Sequence, residues 1–132
     1  MTTKNGKTEL VALVQSNSAG TILNICAILS KMGLHREAYD YANQAILKLD
    51  EAKTFLKTQM EEVFNDSTEL TNLRSLHLNG MWENMKSTYV IAHYNAAVEL
   101  EFQHLWLDAA KMYQRALDTT QRYLGKDNQM YR

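Results

Sequence analysis

Four histidines, one cysteine and two close pairs of carboxylates are the residues of this chain whose types suit chemistry. His35, His77, His93 and His104 carry the imidazole nitrogens that bind zinc or move protons. A metal site needs several such ligands converging on one point, and no two histidines stand four apart on one helical face. His93 and His104 are 11 residues apart, about three helical turns. Cys26 is the only cysteine, so it can build neither a thiolate cluster nor an intrachain disulfide, and as a nucleophile it would need a histidine brought from a distant part of the chain. Glu61 with Glu62 and Glu99 with Glu101 are paired acids, but acid-base catalysis needs two carboxyls set across a cleft in environments that separate their pKa values. Neighbours in sequence are more simply read as solvated acids. No glycine-rich phosphate loop, nucleophile elbow or kinase-type motif is present. The expectation is a protein with no catalytic residue, no metal ligand and no cofactor.

The bulk composition points the same way. The chain has 132 residues, 45% of them apolar, enough for one compact domain with a buried core. Fourteen basic residues against 15 acidic give a formal charge of −1, which offers no positive field to a nucleic acid or an anionic membrane. Zero prolines and five glycines suit helices joined by short turns. A single cysteine fits a reducing, cytoplasmic setting. The terminus MTTKNGKTEL lacks an apolar signal core, and the longest apolar stretch, around Ile25 to Leu29, is far below the roughly 20 residues that span a bilayer.

Hydrophobic periodicity supplies the elements. Met1 to Lys7 reads as a loose terminus, and Thr8 to Gln15 as a turn or two of helix around Leu10, Leu13 and Val14. From Ser18, an N-cap by type, Ile22, Ile25, Cys26 and Leu29 fall on one helical face, and Gly33 supplies the stop. A long second helix carries Ala38, Ala42, Ala45, Leu49, Ala52, Leu56, Met60 and Val63 at steps of three or four. Its alanines allow close approach of a neighbour, and its larger distal residues predict a protruding end. Asn65, Asp66 and Ser67 break the pattern, and Asp66 with Glu69 resembles a capping box for a short helix through Leu70, Leu73 and Leu76. Asn79 and Gly80 read as a turn. Beyond them Tyr89, Ala92, Ala96 and Leu100 line one face. Leu105, Ala109, Met112, Tyr113, Ala116, Thr120 and Tyr123 line the partner helix, which Gly125 ends. The expected organisation is a first hairpin over 18–64, a connecting segment over 65–84, a second hairpin over 85–125 and a tail over 126–132.

The two hairpins repeat. The stretch from Ile22 lies in register over the stretch from His93, so that Asn24, Glu37, Ala38 and Ala45 stand 71 positions before Asn95, Asp108, Ala109 and Ala116. That offset is roughly two periods of about 34 residues. Tyr94, Asn95, Ala96 and Ala97, followed by Asp108, Ala109, Tyr113, Ala116 and Leu117, resemble the two consensus stretches of the tetratricopeptide repeat. The first copy is similar through Asn24, Ile25 and Cys26, then Gly33, Glu37, Ala38, Ala45 and Ile46. Arg115 to Asn128 resembles the longer repeats of kinesin light chains. The resemblance covers about 18–50 and 90–128. It departs from the consensus at Ala42, where a large aromatic is usual, and at His104, where the turn glycine is usual.

The resemblance implies an all-α protein built of antiparallel hairpins stacked as a short α-solenoid, with one extended helix and a short intervening helix. It implies a small buried residue at Cys26 and a groove formed by the first helix of each hairpin. On that basis the residues facing a partner are Leu23, Asn24, Ala27 and Lys31 from the first hairpin and Tyr94, Asn95, Val98, Glu101 and Phe102 from the second. The asparagines suit hydrogen bonds to a peptide backbone, and Tyr94 and Phe102 suit apolar anchoring. Leu23, Ala27 and Tyr94 stand where a receptor for chaperone carboxylate tails would carry basic or amide residues. The expected function is a scaffold that binds a peptide or helix of a partner protein. The alternative is a structural subunit of a cytoskeletal, microtubule-based assembly such as a cilium, packing through its open ends as a homo- or hetero-oligomer.

Overall fold

The protein is all-α. The computed structural model describes the backbone of residues 4–64 and 69–125, and the side chains of 17–62 and 74–125. These residues form four helices, α1 (Lys4–Lys31), α2 (His35–Phe64), α3 (Glu69–Phe102) and α4 (Trp106–Tyr123). Each packs on the next in sequence, and α3 also reaches α1, so α3 touches all three of the others.

The stepwise apolar pattern of each helix becomes its buried face. On α4, Ala109, Met112, Ala116 and Thr120 are buried at steps of three and four, while Asp108 in the first turn and Arg122 in the last complement the helix dipole. On α2, Ala38, Ala42, Ala45, Leu49, Ala52 and Leu56 are buried, and the alanines let α1 approach through Ala19, Ile22, Leu23 and Cys26. Burying a leucine of this kind contributes about 1.5–3 kcal/mol.

Matching turns link the two helices of each hairpin. At the end of α1, the Leu34 N–H donates to the Leu29 carbonyl at 2.9 Å and the Gly33 N–H to the Ser30 carbonyl at 3.0 Å, with Gly33 at φ 80. At the end of α3, the Leu105 N–H donates to Leu100 at 3.1 Å and the His104 N–H to Glu101 at 2.9 Å, with His104 at φ 61. This is the Schellman arrangement, in which a left-handed residue lets two N–H groups turn back onto the last carbonyls of the helix. Every donor and acceptor in the first turn has its counterpart 71 positions later in the second, the register read from the sequence.

Three boundaries differ from expectation. Ser18 is no N-cap: it lies inside α1, which is already helical at Lys4 and so takes in Lys4 to Lys7 of the expected loose terminus and the separate short helix. The Asn79–Gly80 turn does not form, because α3 runs unbroken from Glu69 through both residues. Gly80 lowers helix propensity by about 1 kcal/mol, but Leu78 and Met85 bury beside it and Met81 and Trp82 pack on the core, so tertiary packing wins. In place of a short intervening helix and a protruding α2 end, the distal half of α2 is covered by the first half of α3, with Leu56 and Gln59 buried. The capping box at Asp66, the apolar side chains of Leu10, Leu13, Val14, Val63, Leu70 and Leu73, and the tail over 126–132 lie outside the described residues.

Candidate partner-binding surface

Of the nine residues expected to face a partner, one is in the core. Leu23 is 8% exposed and packs with Ala19 and Cys26, because α3 lies over this side of the first hairpin. Asn24, Ala27 and Lys31 are exposed along α1 at steps of three and four. In the same register on α3, Asn95 and Val98 are half-buried and Phe102 is exposed. These six form two parallel stripes on the packed pair α1 and α3. Tyr94 and Glu101 turn toward α4: the Tyr94 ring meets the Tyr113 ring edge-on at 5.4 Å, and the Glu101 carboxylate accepts from the Tyr113 hydroxyl. Burial first, and then that carboxylate, raise the Tyr113 pKa.

One end of the double stripe is fixed by a polar joint between the hairpins. Glu99, 3% exposed, meets His35 Nδ1 at 2.8 Å. The Phe102 ring stacks on the His35 imidazole at 4.2 Å and 6°. Gln103 Nε2 donates to the backbone carbonyls of His35 at 3.4 Å and Glu99 at 3.2 Å. Phe102 is therefore held flat and rigid, which an apolar anchor requires.

A second cluster was not legible from spacing, because its members come from three helices. Lys53 of α2 donates to the Tyr123 hydroxyl of α4 at 2.9 Å, with its ammonium 5.7 Å from the Tyr89 ring centre and 5.4 Å from that of Tyr123. Trp82 packs edge-on against Tyr123 at 5.2 Å, and the Tyr89 hydroxyl donates to Asp50. Burial, and then Asp50, push the Tyr89 pKa well up. Burial also acts to raise that of Tyr123, but Lys53 and Arg122 together outweigh it and lower the value. A cavity of about 200 Å³ lined by Leu56, Met60, Leu78, Trp82 and Tyr123 opens beside this cluster. Trp82 and Tyr123 thus close the joint where the long halves of α2 and α3 meet α4.

Two further candidates for chemistry, Cys26 and His93, are buried. Cys26 is buried, and loss of solvent, reinforced by the negative field of Glu99, pushes its thiol up to about 11, a poor nucleophile. His93 Nδ1 bonds the Tyr89 backbone carbonyl at 2.8 Å. Among the described residues no group of histidine, cysteine and carboxylate side chains has a geometry that could hold a metal ion, and no helix is long and apolar enough to cross a membrane. The arrangement defines an all-α protein of packed helical hairpins with exposed apolar and amide side chains. Compared with known protein families, curated proteins and solved structures, the chain matches none.

Proposed function

We propose that this protein is a non-catalytic scaffold of the tetratricopeptide-repeat kind, which binds a peptide or helix of a partner protein on the α1–α3 face. The observation that carries this reading is the shared register of Asn24, Ala27 and Lys31 with Asn95, Val98 and Phe102, two stripes of amide and apolar groups set side by side on packed helices. Amides at a common register can bond successive groups of a backbone, and Phe102, braced by His35, offers an apolar contact of fixed orientation. A displayed library of random peptides panned against the chain tests it. Hits should lose at least about tenfold in affinity, some 1.4 kcal/mol, when Asn24→Ala and Asn95→Ala are combined, with the thermal transition unchanged. Hits indifferent to both asparagines, or none at all, would sink the reading.

A second reading is favoured by a different observation. Ile25, Ile28 and Met32 at one end of the helix stack, and Tyr94, Trp106, Leu107 and Leu117 at the other, are exposed. Open apolar ends suit a structural subunit that packs into a larger assembly, cytoplasmic or built on microtubules.

A further inference from the structure

The internal repeat says what those two ends fit. Residues 71 positions apart hold equivalent places in the two turns, so differences in burial between equivalents mark the surface that α3 covers on the first hairpin. Leu23, Ala42 and Ile46 are buried, whereas their equivalents Tyr94, Tyr113 and Leu117 are wholly or partly exposed. The outer face of the second hairpin is therefore the same face that, on the first, receives a helix.

The helix it receives is α3, through Ala92, Ala96, Glu99 and Gln103, the first three buried. Their equivalents on α1 are Thr21, Ile25, Ile28 and Met32, all exposed. Each end of the molecule thus carries one half of the joint that the molecule already contains at its centre.

We infer that a second copy of this chain stacks head to tail, its α1 face (Ile25, Ile28, Met32) lying on the α3–α4 face (Tyr94, Trp106, Leu117) of the first, as α3 lies on the first hairpin within one chain. This gives the second reading above its partner, and it draws only Lys31 from the α1–α3 stripes.

The contacts of the central joint, moved by one repeat, pair chemically compatible groups. His35 with Glu99 becomes Trp106 with Ile28 of the next copy, apolar on apolar, at residues 61% and 59% exposed in the single chain. His35 stacked on Phe102 becomes Trp106 beneath Lys31, a cation over an indole. Asp50 with Tyr89 becomes Gln121 with Ser18, polar on polar. None of these three pairs sets like charges together. Tyr94, Tyr113 and Trp106 are larger than Leu23, Ala42 and His35 at the central joint, so the helices meet at wider spacing there. A head-to-tail contact uses two different faces and leaves both outer ends open, so association continues along an axis and its extent rises with concentration.

The test is the sedimentation mass of the whole chain over roughly a hundredfold range of concentration. Wild-type mass should rise continuously. Ile28→Glu and Trp106→Glu, each blocking one face, should each weaken self-association at least about tenfold, with helicity and thermal transition unchanged. Mixed in equal amounts, the two variants should form a heterodimer that grows no further, because each supplies the face the other lacks. Met32→Glu and Leu117→Glu repeat the design at other exposed positions should either first variant fail to fold. A wild-type chain that stays monomeric throughout overturns the inference. So does a pair of variants of which only one loses association, since a symmetric contact between like ends would behave that way.

Discussion

The α1–α2 hairpin and the α3–α4 hairpin share a turn, a register and a ladder of buried alanines, but among the described helices only the first hairpin receives another on its outer face. Where α3 lies on the first hairpin the positions hold Leu23, Ala42 and Ile46; the same places on the second hold Tyr94, Tyr113 and Leu117. Two of the three become aromatic where no described helix lies over them. The buried positions inside each hairpin change much less: Ala38 and Ala45 match Ala109 and Ala116, all buried. Inside a hairpin the close approach of two helices fixes side-chain size, whereas on the outer face size follows what lies on top.

The sharpest break in the comparison is expected at Leu49 and its equivalent Thr120. Leu49 is fully buried with α1 and α3 to either side, and Leu49→Ala should cost about 3 kcal/mol in chemical denaturation, as large-to-small core changes do. Thr120 is also buried, but its hydroxyl donates back to the Ala116 carbonyl at 2.8 Å, which keeps its own helical N–H partner. Thr120→Val should therefore change stability by less than about 1 kcal/mol. Equal costs at the two sites would mean that α4 is as tightly enclosed as α2.

The joint between the hairpins gives the next effect. Glu99→Ala leaves the His35 ring without its carboxylate and opens a buried gap, and should cost about 2 kcal/mol. Glu99→Ile with His35→Trp installs at the centre the pair that stands at the two ends, Ile28 and Trp106. Replacing a buried polar pair by apolar groups of suitable volume is often neutral or better, so the double variant should lie within about 1 kcal/mol of wild type. A double variant as unstable as the single one would break the equivalence between the centre and the ends.

The all-α class and the two hairpins could be read from the sequence because they rest on local signals: steps of three and four, Gly33 and Gly125 as stops, and the 71-residue register. The continuity of α3 could not, because Asn79 and Gly80 are turn residues by type and only the burial of Leu78 and Met85 against α2 overrides them. Leu23 was misplaced for a related reason. Its helical phase sets it beside Asn24, but its burial depends on α3, which begins some 46 positions later. The same distance hid the Lys53, Tyr89 and Tyr123 cluster. Asn24 and Phe102 are exposed, as helical phase alone leads one to expect.

Cys26 and its equivalent Ala97 offer a comparison in pH. A thiol held at about 11 in the folded protein, against an ordinary 9.0, stays protonated while the unfolded chain ionises. Between these values the unfolded state binds fewer protons, so stability falls as pH rises, by up to about 1.4 kcal/mol per unit. Below pH 9 the contribution is intact. Cys26→Ala should remove this decline and flatten the alkaline limb, leaving the part due to Tyr89, whose raised pKa acts in the same direction. In the wild type a thiol reagent at neutral pH should react only as fast as the protein opens. Rapid labelling of the native chain, or an unchanged alkaline limb in the variant, would mean that the thiol is solvated.

The smallest difference lies in the turns. Gly33 and His104 both sit at positive φ with the same two backbone bonds, but only glycine adopts that conformation without strain. A non-glycine residue there costs about 1–2 kcal/mol, which His104 meets in part through the contact of its ring with Trp106 at 5.1 Å. His104→Gly relieves the strain but enlarges the freedom of the unfolded chain, so the net gain should be about 0.5–1 kcal/mol, a rise of a few degrees in the thermal transition. Gly33→Ala, in open space where no neighbour obstructs the added carbon, should lose about 1 kcal/mol from backbone strain alone. If His104→Gly instead lowers the transition, the tilted contact of His104 with Trp106 is worth more than the strain it sits in. The second turn would then be held by its side chains and the first by its backbone.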